Sequence, residues 1–448
     1  MKSNRAIGAL AAALGFSFAA PMTATPAMAV PSFAEQTGQP CAACHIGGFG
    51  PQLTPFGRTF KLEGYTMRAG ETFTNPLSAM AVASFVNTAS DQPAPPAPHY
   101  DVNNNVTIDQ VSAFVSGGIG EHFGGFTQWT WDGVGRAFGW DNIDIRATDH
   151  VTVAGSDVLL GLSLNNSPTV EDAWNTLSAW GFPYTGSDLA PAPAAATLLD
   201  GGFAQASLGT SAYAYWNSEI YAEVALYWTP SNRFLSAMGA DFGPGPIDGA
   251  APYLRVAYQK DLGDQNYEIG AFAFFPDLRP DGDASTGRTD SYSDFGIDGH
   301  YQFVGNGDDI YTFNGRYTHE RQDLNATFLL GGAANRSNTL NDFRFDVSYF
   351  WRNMLGGTIQ YFDTWGSKDA LLYADNAALK PDSAGLLLQL DGTLFGRDMS
   401  VLGGRFNLRA GLQYTIYTKF DGAGTNYDGL GRNASDNNTI RLYVWTAL

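Results

Sequence analysis

From about residue 76 to residue 448, apolar and polar side chains alternate in short runs, the period-two signature that places successive side chains on opposite faces of a strand. In Phe343 to Trp351 the odd positions are apolar while Arg344, Asp346 and Ser348 are polar. The same rhythm sets Ile220, Ala222, Val224, Leu226 and Trp228 against Glu219, Tyr221 and Glu223, and Phe406, Leu408, Leu412, Tyr414 and Ile416 against Arg405, Asn407, Arg409 and Gln413. Strands are expected near residues 76–88, 106–118, 121–132, 140–153, 157–166, 203–216, 219–229, 252–261, 266–275, 294–304, 309–321, 342–351, 355–365, 385–395, 405–419 and 438–448. About sixteen strands, an even number, suits a bacterial single-chain membrane barrel.

Alternation alone does not separate such a barrel from a soluble sandwich, because both have one oily and one wet face. The connections do. Short turns such as Gly118-Ile119-Gly120, Ala154-Gly155-Ser156, Asn217-Ser218, Gly305-Asn306-Gly307 and Arg352-Asn353-Met354 alternate strictly with long links at 89–105, 167–202, 230–251, 276–293, 322–341, 366–384 and 420–437. That asymmetry predicts a mainly β fold in which residues 76–448 form a porin-like outer-membrane antiparallel barrel, with short periplasmic turns and long extracellular loops. Sixteen strands enclose a lumen too wide for wall side chains to fill, leaving room for a channel or a plug.

Composition adds two exclusions. With 52 glycines, 14% aromatic and only 15% charged residues, the chain is rich in strand and turn formers. A formal charge of −19 argues against nucleic acid, whose recognition rests on Lys and Arg neutralising phosphates. Residues 1–29 read as a secretory signal: Lys2 and Arg5, an apolar run from Ala6 to Ala20, and Ala27-Met28-Ala29 at the cleavage site.

The chemistry is concentrated in Cys41-Ala42-Ala43-Cys44-His45, which holds the only two cysteines. Cys-x-x-Cys-His is the attachment site of one covalent c-type haem, the thiols meeting the two vinyl groups and His45 the iron. A structural disulfide needs no histidine, and a redox dithiol expects a βαβ surround that is absent. Residues 30–75 are therefore expected to form a small helical monohaem segment, too short to bury its own core and leaning on the barrel as a plug. Thr54 and Pro55 start a short helix that Gly64 ends, with Phe56 and Phe60 on the side turned to haem. The second axial ligand is open among Met67, Met80, His99, His122 and His150.

Pro40 to His45, Gly57 to Thr66 and Pro76-Leu77-Ser78-Ala79-Met80, with Gly124 to Gln128, Asn142 to Arg146, Asn166 to Thr176 and Trp180-Gly181-Phe182-Pro183, resemble the cytochrome-porin fusions of iron-oxidising bacteria. The likeness spans most of the mature chain, and its haem motif is common to all c-type cytochromes. It implies one haem c on Cys41, Cys44 and His45, and an outer-membrane enzyme without acid or base residues. Such a protein oxidises extracellular Fe(II) and passes the electron to a periplasmic carrier such as a soluble cytochrome c. Glu171, Asp172, Asp277, Asp281, Asp283 and Asp290, expected in the long loops, are candidates for concentrating the cation. The competing readings are a conduit for another donor, a porin with a structural haem plug, and a soluble periplasmic β-protein with a haem tail.

Overall fold

The computed structural model describes residues 31–70, 74–305, 307–397 and 406–448; the expected leader over residues 1–29 lies outside them. The strands are β1 (Leu77–Thr88), β2 (Asn105–Ile119), β3 (Phe123–Asp132), β4 (Ala137–Val153), β5 (Ser156–Asn165), β6 (Leu208–Trp216), β7 (Ile220–Trp228), β8 (Ala251–Leu262) and β9 (Gln265–Phe274). A two-residue stub, β10 (Asp277–Leu278), precedes β11 (Asp290–Phe303), β12 (Asp309–Asp323), β13 (Ser337–Trp351), β14 (Leu355–Gly366), β15 (Ser383–Thr393), β16 (Asn407–Lys419) and β17 (Thr439–Ala447). All pairings are antiparallel, β9 pairs directly with β11, and β1 closes on β17 from Met80↔Ala447 to Thr88↔Thr439. The result is a closed ring of sixteen long strands, the arrangement in which no backbone edge is left unpaired in hydrocarbon.

The side-chain pattern is inverted relative to a soluble protein. On β7, Ile220, Val224 and Leu226 are exposed while Tyr221, Glu223, Ala225 and Tyr227 are buried. On β13, Phe345, Tyr349 and Trp351 face outward and Asp342, Asp346 and Ser348 face in. A ring with an apolar outside and a polar inside is a membrane barrel of the outer-membrane type, which disposes of the soluble sandwich. The lengths of the connections follow the expected asymmetry as a trend, not strictly. The β3–β4 link is only Gly133–Arg136, at the end otherwise bearing long connections.

Two segments fill the lumen. The first, toward the short-turn end, carries α1 (Pro31–Thr37), the single-turn α2 (Cys41–Cys44) and α3 (Pro55–Leu62). Wall groups hold it: the Gly118 amide donates to Gln36 Oε1 at 2.7 Å, the Gly47 amide to Asn353 Oδ1 at 2.8 Å, and the Tyr213 hydroxyl to the Leu62 carbonyl at 2.6 Å. Gly48 sits against Gly396, where a Cβ would lie 2.6 Å from its Cα, so the segment touches the β15–β16 turn as closely as backbone allows.

The second is the long link between β5 and β6. It was expected outside the barrel and instead folds into it. Arg255 of β8 bonds Asp172 at 3.0 Å while also bonding Asp298 at 2.6 Å, and stacks over Trp174, which is 1% exposed. Arg316 and Arg344 reach Asp200 at 3.0 and 2.9 Å. These inward cations supply the partners that carry the acidic link inside. The strand expected from residue 203 begins only at Leu208, because Phe203 and Ala206 are buried in the lumen filling, Phe203 edge-on to Phe274 at 5.9 Å. Two further short helices, α4 (Asn232–Met238) and α5 (Asn325–Leu330), lie in later long links.

Candidate functional site

Cys41 and Cys44 are three residues apart on α2, one turn, so both thiols leave the same side, and His45 follows at once in extended conformation. The peptide leaving the motif returns to it: the Ile46 amide donates to the Gln52 carbonyl and the Thr54 amide to the Cys44 carbonyl, each at 2.9 Å. Thr54 then caps α3, its hydroxyl accepting from the Gly57 amide at 3.1 Å, with Pro55 in the first turn as expected. A Cβ on Gly57 would stand 2.2 Å from the Cys44 carbonyl oxygen, so α3 can lie on the motif only because this position has none.

The three motif residues open on one cavity of 470 Å³, within the range of small-molecule and cofactor sites. Its walls come from all three parts of the molecule. The N-terminal segment gives Phe33, Phe60 and Tyr65, the inward link gives Trp180 and Tyr184, and the barrel gives Met80, Phe126 and Trp445. Phe33 stacks on Tyr65 at 5.2 Å and meets Phe60 edge-on at 5.1 Å, and Tyr65, Phe126 and Trp180 continue the aromatic run at 5.9 and 6.1 Å. Such a lining suits a flat, apolar, polarizable ring system.

Burial, aided by the nearby charge of Arg409, pushes the His45 imidazole down to about 4, so it is neutral and able to ligate a metal. Its Nδ1 is buried without a hydrogen-bond partner. The cysteines are not joined to each other, and burial, with Cys41 beside it, pushes the Cys44 thiol up to about 12, which keeps it a thiol and argues against a thiolate nucleophile. The Arg409 guanidinium donates to the Gly47 carbonyl at 2.7 Å and lies over the rings of Phe49, Phe350 and Trp445 at 5.2, 5.9 and 5.5 Å, pinning the loop after His45.

Lys61 is the one Lys or Arg lining the cavity among the described residues. Its ammonium donates to the carbonyls of Val170 and Asp172, both at 2.7 Å, and sits 4.6 Å from the Trp180 ring centre. Burial, then the charge of Arg146, pushes it down to about 7. It couples the N-terminal segment directly to the inward link.

The other sequence candidates separate cleanly. Met80 lines the cavity; Met67 does not, being half-buried with its carbonyl taken by Gln36. His99, His122 and His150 are exposed and none lines the cavity; His150 bridges Glu63 and Asp157, each at 2.9 Å. Phe60 faces the cavity, but Phe56 is 39% exposed and points away from it. The acidic set divides in the same manner. Glu171 and Asp172 are buried in the lumen, and Asp290 caps α5 by accepting from the Ala326 amide at 2.7 Å, so none of the three is free to collect a cation at the surface. Asp277 and Asp281 are exposed and Asp283 half-exposed. Sequence reasoning gave no role to Lys61, Arg409 or Trp445, whose partners lie far away along the chain.

No protein-family model matches the chain, and no curated protein matches it. Among solved structures it is similar to OmpT, an outer-membrane protein of Vibrio cholerae, at 7% identity with a TM-score of 0.44, covering 84% of this chain and 98% of that one. It is also similar to an anion-selective porin from Comamonas acidovorans (12% identity, TM-score 0.44, 83% and 98% covered) and to the outer-membrane channel DcaP of Acinetobacter baumannii (10%, 0.44, 83% and 96%). The assignment of this chain as a membrane barrel stands on its own closed ladder and inverted faces.

Proposed function

We propose that the protein is an outer-membrane electron conduit that carries one haem c inside its barrel. It takes one electron from an extracellular donor, Fe(II) by the family resemblance, and delivers it to a periplasmic carrier such as a soluble cytochrome c. The observation that carries the reading is the convergence of Cys41, Cys44 and His45 on a single aromatic cavity inside the barrel. When bound, a haem would supply reversible one-electron chemistry at its iron.

The chain's own residues fit that group. Cys41 and Cys44, held as thiols on one turn, would each add across a vinyl group, the sulfur forming the carbon bond and its proton going to the neighbouring carbon, with no oxidant required. Neutral His45 would supply a nitrogen ligand to the iron. Lys61, the one Lys or Arg lining the cavity among the described residues, would be the basic group available to a carboxylate of the haem. Phe33, Phe60, Tyr65 and Trp180 line the cavity and would exclude water from the group held there. The reaction balances as one Fe(II) becoming Fe(III) for each carrier reduced, with no proton transferred and no acid or base needed. Of the six acidic candidates, Asp277, Asp281 and Asp283 are the ones whose exposure is compatible with attracting the cation.

The porin reading draws on the barrel itself and on a polar cavity of 120 Å³ between the inward link and the wall, lined by Asp200, Arg316, Arg344 and Asp346 among others. Two measurements divide the readings. Anaerobic mixing of the oxidised protein with Fe(II) should give reduced haem bands within the mixing experiment, and proteoliposomes should not swell in small sugars. Solute entry with no reduction of haem would establish the porin instead. Reduction by other donors but not by Fe(II) would keep the conduit and replace the substrate.

A further inference from the structure

Resting on the haem reading, we propose that the sixth ligand of the iron is Met80, supplied by the barrel wall, and that Trp445 is its positioning residue. Haem iron in an electron-transfer site takes a second axial side chain, most often histidine or methionine. Every histidine but His45 is committed or distant: His99, His122 and His150 are exposed, His300 is buried between Arg58 at 3.2 Å and Asn314 at 2.7 Å, and His319 bonds Asn341 at 2.8 Å. None of the five lines the cavity, and Met80 is the one methionine that does among the described residues.

Two rival cavity groups are already engaged. The Tyr65 hydroxyl donates to Asp144 at 2.7 Å, and the Lys61 ammonium donates to two carbonyls. Met80 lies on the inward face of β1 with Ser78, Val82 and Ser84. The indole N–H of Trp445 donates to its sulfur at 3.4 Å, from the neighbouring strand β17. A thioether sulfur has two lone pairs; the indole engages one and fixes the side chain, leaving the other for iron. The N–H also withdraws electron density from the sulfur, which favours the reduced iron.

The test uses the full-length protein purified from outer membranes, with covalent haem assayed on denaturing gels. The oxidised wild type should show the weak near-red band of methionine-sulfur-to-ferric-iron charge transfer. M80A should keep covalent haem and lose the band; M67A should keep both. M80H, which still offers a ligand, should give a bis-imidazole spectrum and a lower midpoint potential. W445F should retain the band with its potential lowered, a shift that a purely structural role would not produce. A band that survives in M80A overturns the proposal, as does a high-spin ferric wild type, which would point to an oxygen such as that of Tyr184. Wild type with no covalent haem overturns this and the underlying reading together, whereas haem present without the band overturns Met80 alone.

Discussion

The two bodies inside the barrel are held in opposite ways. The link between β5 and β6 is fastened by buried ion pairs: Arg255 serves Asp172, Glu268 and Asp298, and Arg316 and Arg344 serve Asp200. The N-terminal segment is fastened chiefly by single hydrogen bonds in which one partner is a backbone group, its own or its neighbour's, and by aromatic packing, and it surrounds a space. Charged anchoring inside a low-dielectric interior tolerates no missing partner. Carbonyl and ring contacts around a cavity are individually weaker and leave the shape to be completed by what fills it. The link is thus part of the barrel's architecture, and the segment is a holder.

The largest effect that sharpens this contrast is chemical. Replacing both Cys41 and Cys44 with Ala should abolish covalent haem on denaturing gels while the heat-dependent gel shift of the folded barrel persists. A barrel that fails to assemble would show that the segment is architectural too. Arg255→Met should strand the Asp172, Glu268 and Asp298 carboxylates and cost about 3–5 kcal/mol, read as a lower unfolding midpoint in urea. An unchanged midpoint would remove the distinction between the two bodies. Gly57→Val should push α3 off the Cys44 carbonyl at a local cost of about 1–3 kcal/mol, lowering haem retention with little change in barrel melting. Phe56→Ser, on the exposed side of α3, should stay within about 0.5 kcal/mol of wild type and leave the absorption spectrum unaltered.

The wall was legible because period two is local: Ile220 to Trp228 announces its outward and inward faces without knowledge of any other strand. Errors fell where local pattern and tertiary fate part. Residues 203–207, taken into the expected strand, pack in the lumen instead, and residues 290–293, left in the expected loop, continue β11. The haem motif and the cap at Thr54 were readable for the same reason, since both are short-range devices. The inward link was not, because Asp172 looks like any solvated loop residue until Arg255, 83 residues on, is brought beside it. Nor could spacing choose among the methionines and histidines: Met67 is nearest to the motif in sequence, but the strand that follows is what turns Met80 toward the cavity.

The closing seam of the ring has a consequence for the pocket. Met80 comes from the first strand and Trp445 and Ala447 from the last, so one wall of the pocket is the joint itself. The pocket is therefore complete only when the ring is closed. Deleting the nine residues of β17 would open the ring and the pocket together, so closure of the barrel and enclosure of the cysteine motif stand or fall as one.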